Sequence, residues 1–239
     1  MRVLVTGGTS GIGRGMVGAL LARGDSVVTA DLTQTQQNCL PGSIFLAWDV
    51  TDAEAAVPAI TAAVAHLGGL DAVMLNAGVQ GGGPVDDGFS LSAYRRLIGV
   101  NLDGVVFGMA AALPAIRESR GTIVATASMA GLTTVGPDPI YAATKHAVVG
   151  LVRSVAAVES AHGVRVQALC PSFARTPLID GLEDLIEALG IPLLEVDDVV
   201  QAGLACLDSA GTGECWTVIP GRDPQPYGFR GIPGPRAAS

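Results

Sequence analysis

Tyr141 and Lys145 stand four residues apart in a stretch of helical pattern, so their side chains share one face. A phenol beside an ammonium is a proton-transfer device. The positive charge stabilises phenolate and draws a tyrosine pKa down from about 10 towards neutrality, where a general base works best. Ser128 follows the short apolar run Thr122–Thr126, and its hydroxyl can hold the substrate oxygen that Tyr141 protonates or deprotonates. A lysine in a helix ordinarily marks a solvated face. The background argues otherwise here, because 13 of the 14 basic residues are arginine and Lys145 is the single lysine among 239 residues. Arginine, with its planar fork and greater length, replaces a compact ammonium poorly.

A second constellation opens the chain. Thr6-Gly7-Gly8-Thr9-Ser10-Gly11-Ile12-Gly13 joins the first apolar run to the first helical stretch. Glycines at such a junction allow a tight turn, let backbone N–H groups approach a pyrophosphate, and let helix and strand pack closely. The spacing is G-x-x-x-G-x-G, and in a chain with 32 glycines its position before a helix carries more weight than its composition. Asp31 lies 18 residues past Gly13, at the end of the second apolar run. An acid at about that distance accepts from both ribose hydroxyls of a dinucleotide. It would also repel a 2′-phosphate, and Thr9, Ser10 and Leu32 bring no cation to offset the repulsion. NAD is therefore expected, with NADP disfavoured by Asp31. The plainer meaning of Asp31 is a solvated turn residue.

Thr6-Gly7 through Gly13, Asn76-Ala77-Gly78, Asn101, Ser128 and Tyr141-Ala-Ala-Thr-Lys145, in that order, resemble the short-chain dehydrogenase/reductase family over essentially residues 1–220. The resemblance implies a division of labour. Tyr141 would be the acid/base, Lys145 would also bind the nicotinamide ribose, Ser128 would orient substrate, and Asn101 would secure a water that relays protons. Asp49 and Val50 would border the adenine. Asn76, Ala77 and Gly78 would line the cofactor and brace the sheet, and Pro171, Phe173 and Thr176 would meet its nicotinamide end. For Asn101 the alternative is a polar residue packed at a helix interface. One departure is visible: the family usually has Pro-Gly after the sixth strand, whereas this chain has Pro171-Ser172. Serine takes a positive φ less cheaply than glycine, which puts the local contacts of that loop in question.

Positioning these residues requires a particular scaffold. Val3–Thr6, Ser26–Ala30, Ile44–Trp48, Ala72–Leu75, Thr122–Thr126, Val164–Leu169 and Glu214–Ile219 are short apolar runs. Helical stretches separate many of them, among them Gly11–Arg23, Asp52–Leu67, Leu91–Ser119 and Pro139–Ala161. Runs that are almost continuously apolar read as strands buried on both faces of a parallel sheet. The expectation is an α/β, doubly wound Rossmann sheet of seven parallel strands in a three-layer α/β/α sandwich. No linker divides the chain, so residues 1–239 read as one domain ending in a Pro/Gly-rich tail, 220–239.

Composition bounds the partners. The net charge of −8 and the lack of a Lys/Arg cluster argue against nucleic acid. The longest run free of charge is 17 residues and contains polar groups, so no membrane span is expected. Cys39, Cys170, Cys206 and Cys215 lack C-x-x-C spacing and read as reduced thiols of a cytoplasmic protein. Three scattered histidines leave no metal site in view.

After Thr176, residues 178–191 place Leu182, Leu185, Ile186 and Leu189 at helical spacing, with Asp180, Glu183, Asp184 and Glu187 around them. This is either a surface helix or, as its place implies in the family the chain resembles, a substrate lid with a greasy inner face and an acidic rim. The lid reading favours an uncharged or cationic, fairly apolar secondary alcohol or its ketone. Helices 91–119 and 139–161 carry more apolar surface than one buried face needs, which suggests a partner, and the family resemblance implies homodimers or homotetramers through them. Two other readings share the fold: a nucleotide-binding sensor without turnover, and a sugar-nucleotide epimerase or dehydratase, for which 239 residues leave little room.

Overall fold

The computed structural model describes residues 1–32 and 38–231. The seven expected strands form at β1 (Arg2–Thr6), β2 (Ser26–Asp31), β3 (Ile44–Ala47), β4 (Ala72–Leu75), β5 (Thr122–Thr126), β6 (Arg165–Pro171) and β7 (Cys215–Val218). They pair in parallel in the order 3-2-1-4-5-6-7. All residues of β4 and β5 are buried, as strands covered on both faces must be. Register brings the carboxyl ends into line: Thr6 faces Ala30, Leu75 faces Ala125, and Thr126 faces Leu169. The strand order reverses between β1 and β4, and the crevice above that switch point is where an open α/β sheet binds ligands.

Alternation within each strand divides the core. Leu4, Val73 and Ile123 pack on one side, beneath α2 (Ala53–Leu67), α4 (Gly104–Ser119) and α5 (Pro139–Glu159). Val3, Val5, Met74 and Val124 face the other side, beneath α1 (Gly11–Ala22) and α7 (Val196–Asp208). The architecture is thus the expected three-layer sandwich. Helix α7 has no counterpart among the sequence expectations, although Val196, Val199, Val200 and Leu207 recur at helical spacing.

The expected helical stretch Leu91–Ser119 forms as one run of 29 residues, long and apolar enough by length and composition to cross a bilayer. Its buried Leu97, Val105, Met109, Ala112 and Ile116 belong to the protein interior, as in a core helix. The run is also irregular, because α3 (Leu91–Ile98) and α4 flank a π-helical turn at Gly99–Asp103. Two expectations need correction. First, the sheet does not stop at seven parallel strands, because part of the tail joins it. Gln225–Pro226 forms an eighth, antiparallel strand, β8, on Trp216–Thr217, and Tyr227 N–H donates to Cys215 O at 2.7 Å. Pro233 and Pro235 lie outside the described residues. Second, the helix expected within 178–191 shrinks to α6 (Glu183–Ala188). Ile186 is buried, Leu182 and Leu189 are exposed, and the side chains of Asp184, Leu185 and Glu187 lie outside the description.

Helix α5 carries the tyrosine and lysine, and its far end is pinned. Arg117 of α4 grips the buried Glu159 through two bonds, Nε–Oε2 at 2.8 Å and Nη2–Oε1 at 2.6 Å. The guanidinium is the main reason the Glu159 carboxyl sits below its ordinary pKa, against the opposing effect of burial. Removing the partner leaves a carboxylate inside the protein. R117A is expected to lower stability at pH 7, and adding E159Q to restore part of the loss, by denaturant titration. Because the Glu159 pKa is depressed when folded, the wild-type advantage is present above the unfolded pKa and fades as pH falls through the folded one.

Candidate active site

The phosphate turn follows β1. Gly7 and Gly11 adopt φ of +63° and +47°, the left-handed region that favours glycine. Gly13 is required for space: a Cβ there would overlap the Gly7 carbonyl oxygen and approach Asn76 Nδ2 to 2.6 Å. Ser10 precedes α1 without capping it through its side chain, and the first turn holds no acidic residue, so these N–H groups are left to a ligand anion. Ile12 turns inward to the core beneath α1.

At the neighbouring strand end, Thr9 donates to Asp31 Oδ2 through its hydroxyl at 2.6 Å and its N–H at 3.2 Å, and Leu32 N–H donates to Oδ1 at 2.8 Å. The acid is therefore tied to the glycine turn itself. The Leu32 side chain is exposed. These features fit a dinucleotide: a glycine cradle, open helix N–H groups and a carboxylate beyond the second strand.

Thr6 joins the first strand to the fourth. Its hydroxyl accepts from the N–H groups of Asn76 at 3.0 Å and Ala77 at 3.1 Å. Asn76 in turn reaches Gly7 O at 3.5 Å and accepts from the Thr126 hydroxyl at 3.1 Å. Asn76, Ala77 and Gly78 thus brace three strand ends. A Cβ on Gly78 would stand 3.7 Å from Lys145 Nζ and 3.6 Å from Asn101 Oδ1, so these two side chains abut this brace.

Asn101 lies in the π turn, fully buried. Its amide makes a two-point contact with Val79, accepting from N–H and donating to the carbonyl, both at 2.8 Å. A π turn offsets the helical ladder by one residue, a distortion found often at functional sites. Here it places the asparagine against the loop that follows β4.

Ser128 opens the short turn Met129–Gly131, accepting from Ala130 N–H at 3.1 Å, with its hydroxyl 3.5 Å from Pro171 O. Its hydroxyl also acts on the half-buried Tyr141, favouring the phenolate. Lys145 is 4% exposed, donates to Thr126 O at 2.9 Å, and stands 5.6 Å from the Tyr141 ring centre. Burial is the largest influence on both groups. It pushes the Tyr141 phenol above 10, with Asp138 adding to the rise and Ser128 opposing it, and it pulls Lys145 from 10.5 down to about 8. The phenol shift runs opposite to the sequence expectation because desolvation of the anion outweighs the opposing effect of Ser128.

Thr176, in the loop beyond β6, closes the site, lying 3.2 Å from where a Gly11 Cβ would project. Pro171 is buried beneath Ser128, whereas Phe173 is 40% exposed. Ser172 avoids the positive φ that its replacement of glycine put in question, and its N–H extends the β6–β7 ladder to Val218 O at 2.9 Å. Asp49 is exposed and accepts from Thr51, and Val50 packs on Gly104, so this pair stands apart from the tyrosine–lysine cluster. Sequence reasoning passed over the Thr6 hydroxyl, the Thr126 carbonyl and Asp138. Only Asp138 had a local signal, since Asp before Pro is a helix-start pair.

A family model for short chain dehydrogenase matches residues 1–185, and the chain belongs to that family. It is 35% identical over 234 residues to a 2,5-dichloro-2,5-cyclohexadiene-1,4-diol dehydrogenase of Sphingobium indicum, covering 89% of this chain and 93% of the relative. It is 34% identical over 194 residues to the trans-4-hydroxycyclohexanecarboxylate dehydrogenase of Sinomonas cyclohexanicum, covering 75% and 74%. Among solved structures, a 3-ketoacyl-(acyl-carrier-protein) reductase from Brucella melitensis complexed with NADH aligns with a TM-score of 0.84 at 25% identity, over 92% of this chain and 97% of that one. The chain is an oxidoreductase of dehydrogenase and reductase kinship.

Burying Lys145 has a measurable consequence. Its folded pKa lies below the unfolded value, so the charged form opposes folding at pH below about 8 and the penalty disappears as pH rises to 10.5. K145M is expected to exceed the wild type in stability by up to about 3 kcal/mol at pH 7, with the difference shrinking between pH 8 and 10.5. Denaturant titration across that range reads it; a pH-independent difference contradicts the assignment.

Proposed function

We propose that this protein is an NAD-dependent dehydrogenase of uncharged, fairly apolar secondary alcohols borne on a small ring, and a reductase of the matching ketones. The observation that carries the reading is the convergence of Ser128, Tyr141 and Lys145 on the carboxyl edge of the sheet, beside the glycine turn. Ser128 holds the substrate oxygen. Tyr141 takes the alcohol proton, or returns it in the reductive direction, while Lys145 stabilises the phenolate and binds the nicotinamide ribose. Asn101 positions the Val79 backbone and the water relay behind Lys145. When bound, the nicotinamide supplies the acceptor for the hydride that leaves the carbinol carbon.

The remaining contacts are assigned by position. Gly7, Thr9, Ser10, Gly11, Ile12 and Gly13 hold the pyrophosphate, Asp31 and Leu32 the adenosine ribose, and Asp49 and Val50 the adenine. Asn76, Ala77 and Gly78 line the middle of the cofactor, and Pro171, Phe173 and Thr176 its nicotinamide end. The ring preference is supported by the names of the two relatives, both dehydrogenases of hydroxylated six-membered carbocycles. A disfavour of anionic ligands rests on the acidic Asp180 and Glu183 beyond Thr176.

The free thiols Cys39, Cys170, Cys206 and Cys215 support a reducing, cytoplasmic setting. Exposed Leu91, Tyr94, Val106 and Val158 support pairing of copies through α3–α4 and α5.

NADH formation over a panel of neutral, cationic and carboxylated cyclohexanols tests the reading. The neutral alcohols turn over fastest, Y141F lowers kcat by about 100-fold or more, and NAD is preferred to NADP. Replacing Asp31 by serine narrows that preference by about tenfold or more. A preference for carboxylated alcohols, or equal rates for wild type and Y141F, overturns it.

A further inference from the structure

The segment Val79-Gln80-Gly81-Gly82-Gly83 leaves β4 and crosses to the start of the tyrosine helix. Each of its first four residues is held from outside. Asn101 takes both backbone groups of Val79, and Arg96 Nη2 donates to Gln80 O at 2.6 Å. The N–H groups of Gly81 and Gly82 donate to Asp138 Oδ2, at 3.2 and 3.0 Å. The other oxygen of the same carboxylate, Oδ1, accepts from Tyr141 N–H at 3.0 Å and caps α5. Gly82 must lack a side chain for this approach, since a Cβ would come within 2.7 Å of Leu97, 2.8 Å of Asp138 Oδ1 and 2.9 Å of Ile140.

The chemistry of the bridge selects a carboxylate. Three donors on two segments face its two oxygens. An asparagine offers one acceptor oxygen and turns an NH₂ towards the remaining donors, and a serine caps the helix but is too short to reach the loop. Capping alone, the ordinary reason for Asp before Pro at a helix start, uses only one of the two oxygens. We propose that Asp138 is a positioning residue, a clamp whose carboxylate fixes Tyr141 and the first turn of its helix against the Gly81–Gly82 loop. Tyr141 is thereby registered to the Asn76–Gly78 cofactor edge and to Asn101, with Gly82 as the clearance that permits it. This rests on the reading of Tyr141 as the acid/base.

D138S keeps the helix cap and removes the loop contact, so it separates the two roles. Backbone amide exchange is followed at Gly81, Gly82 and Tyr141 in the full chain, with NADH binding, thermal unfolding and ring-alcohol kinetics alongside. The expected result is faster exchange at Gly81 and Gly82 by about tenfold or more, with Tyr141 still protected. NADH affinity stays within about twofold of the wild type and kcat falls by about 10- to 100-fold. D138N, with one acceptor oxygen, shows the same loss of kcat, and D138E recovers part of it.

Unchanged exchange at the two glycines overturns the clamp. So does faster exchange with wild-type kcat, and so does a loss of activity that only follows a fall in Tm and NADH binding. If the wild type oxidised no ring alcohol, the function proposed above would fail. The clamp would then be judged by the exchange pattern alone, with wild-type rates at Gly81 and Gly82 in D138S refuting it.

Discussion

An ammonium inside a protein is tolerated only where something replaces its water, and the site is organised around that requirement. Lys145 is drawn beneath Tyr141 by one backbone carbonyl, that of Thr126 at the last residue of β5. The carbonyl is available because a parallel strand ends there and the chain turns away towards Ser128. The same strand end supplies the Thr126 hydroxyl that holds Asn76. One residue therefore anchors both the lysine and the brace through which β1, β4 and β5 terminate together. Displacing Thr126 would cost the charge its partner and the glycine turn its floor.

Burial acts on both the tyrosine and the lysine. Desolvation opposes both phenolate and ammonium, raising one pKa and lowering the other, which moves apart two groups that begin near 10. Ser128 pulls the phenol back down and Asp138 holds it up. The balance is set by packing, and each contributor arrives from a different element: a strand end, a helix cap and a short turn.

The periphery follows the same logic. The π turn sets Asn101 against Val79, and the pair Arg117–Glu159 holds the far end of α5 while Asp138 holds its beginning. A helix fixed at both ends carries its tyrosine and lysine as a rigid unit. Leu91, Tyr94, Val106 and Val158 are left exposed on α3, α4 and the end of α5.

Local chemistry determined much of this in advance. Apolar runs of four to seven residues made the strands and their parallel arrangement legible, because a strand covered on both faces has no polar side to show. The glycine turn and the tyrosine–lysine spacing were legible for a related reason: each is a short-range requirement written within one or two turns of chain, and Asp31 was legible from its place at the end of the second apolar run. Tertiary structure decided what depends on groups distant in sequence. The direction of the Tyr141 shift follows from how much water packing removes, and the Asp31–Thr9 contact and the Asp138 bridge join residues 22 and 56–57 positions apart. The eighth strand needed the edge of β7 to exist before Gln225–Pro226 had anything to pair with. Spacing reports which side chains share a face, and only the assembled sheet shows which backbone groups remain for them to bind.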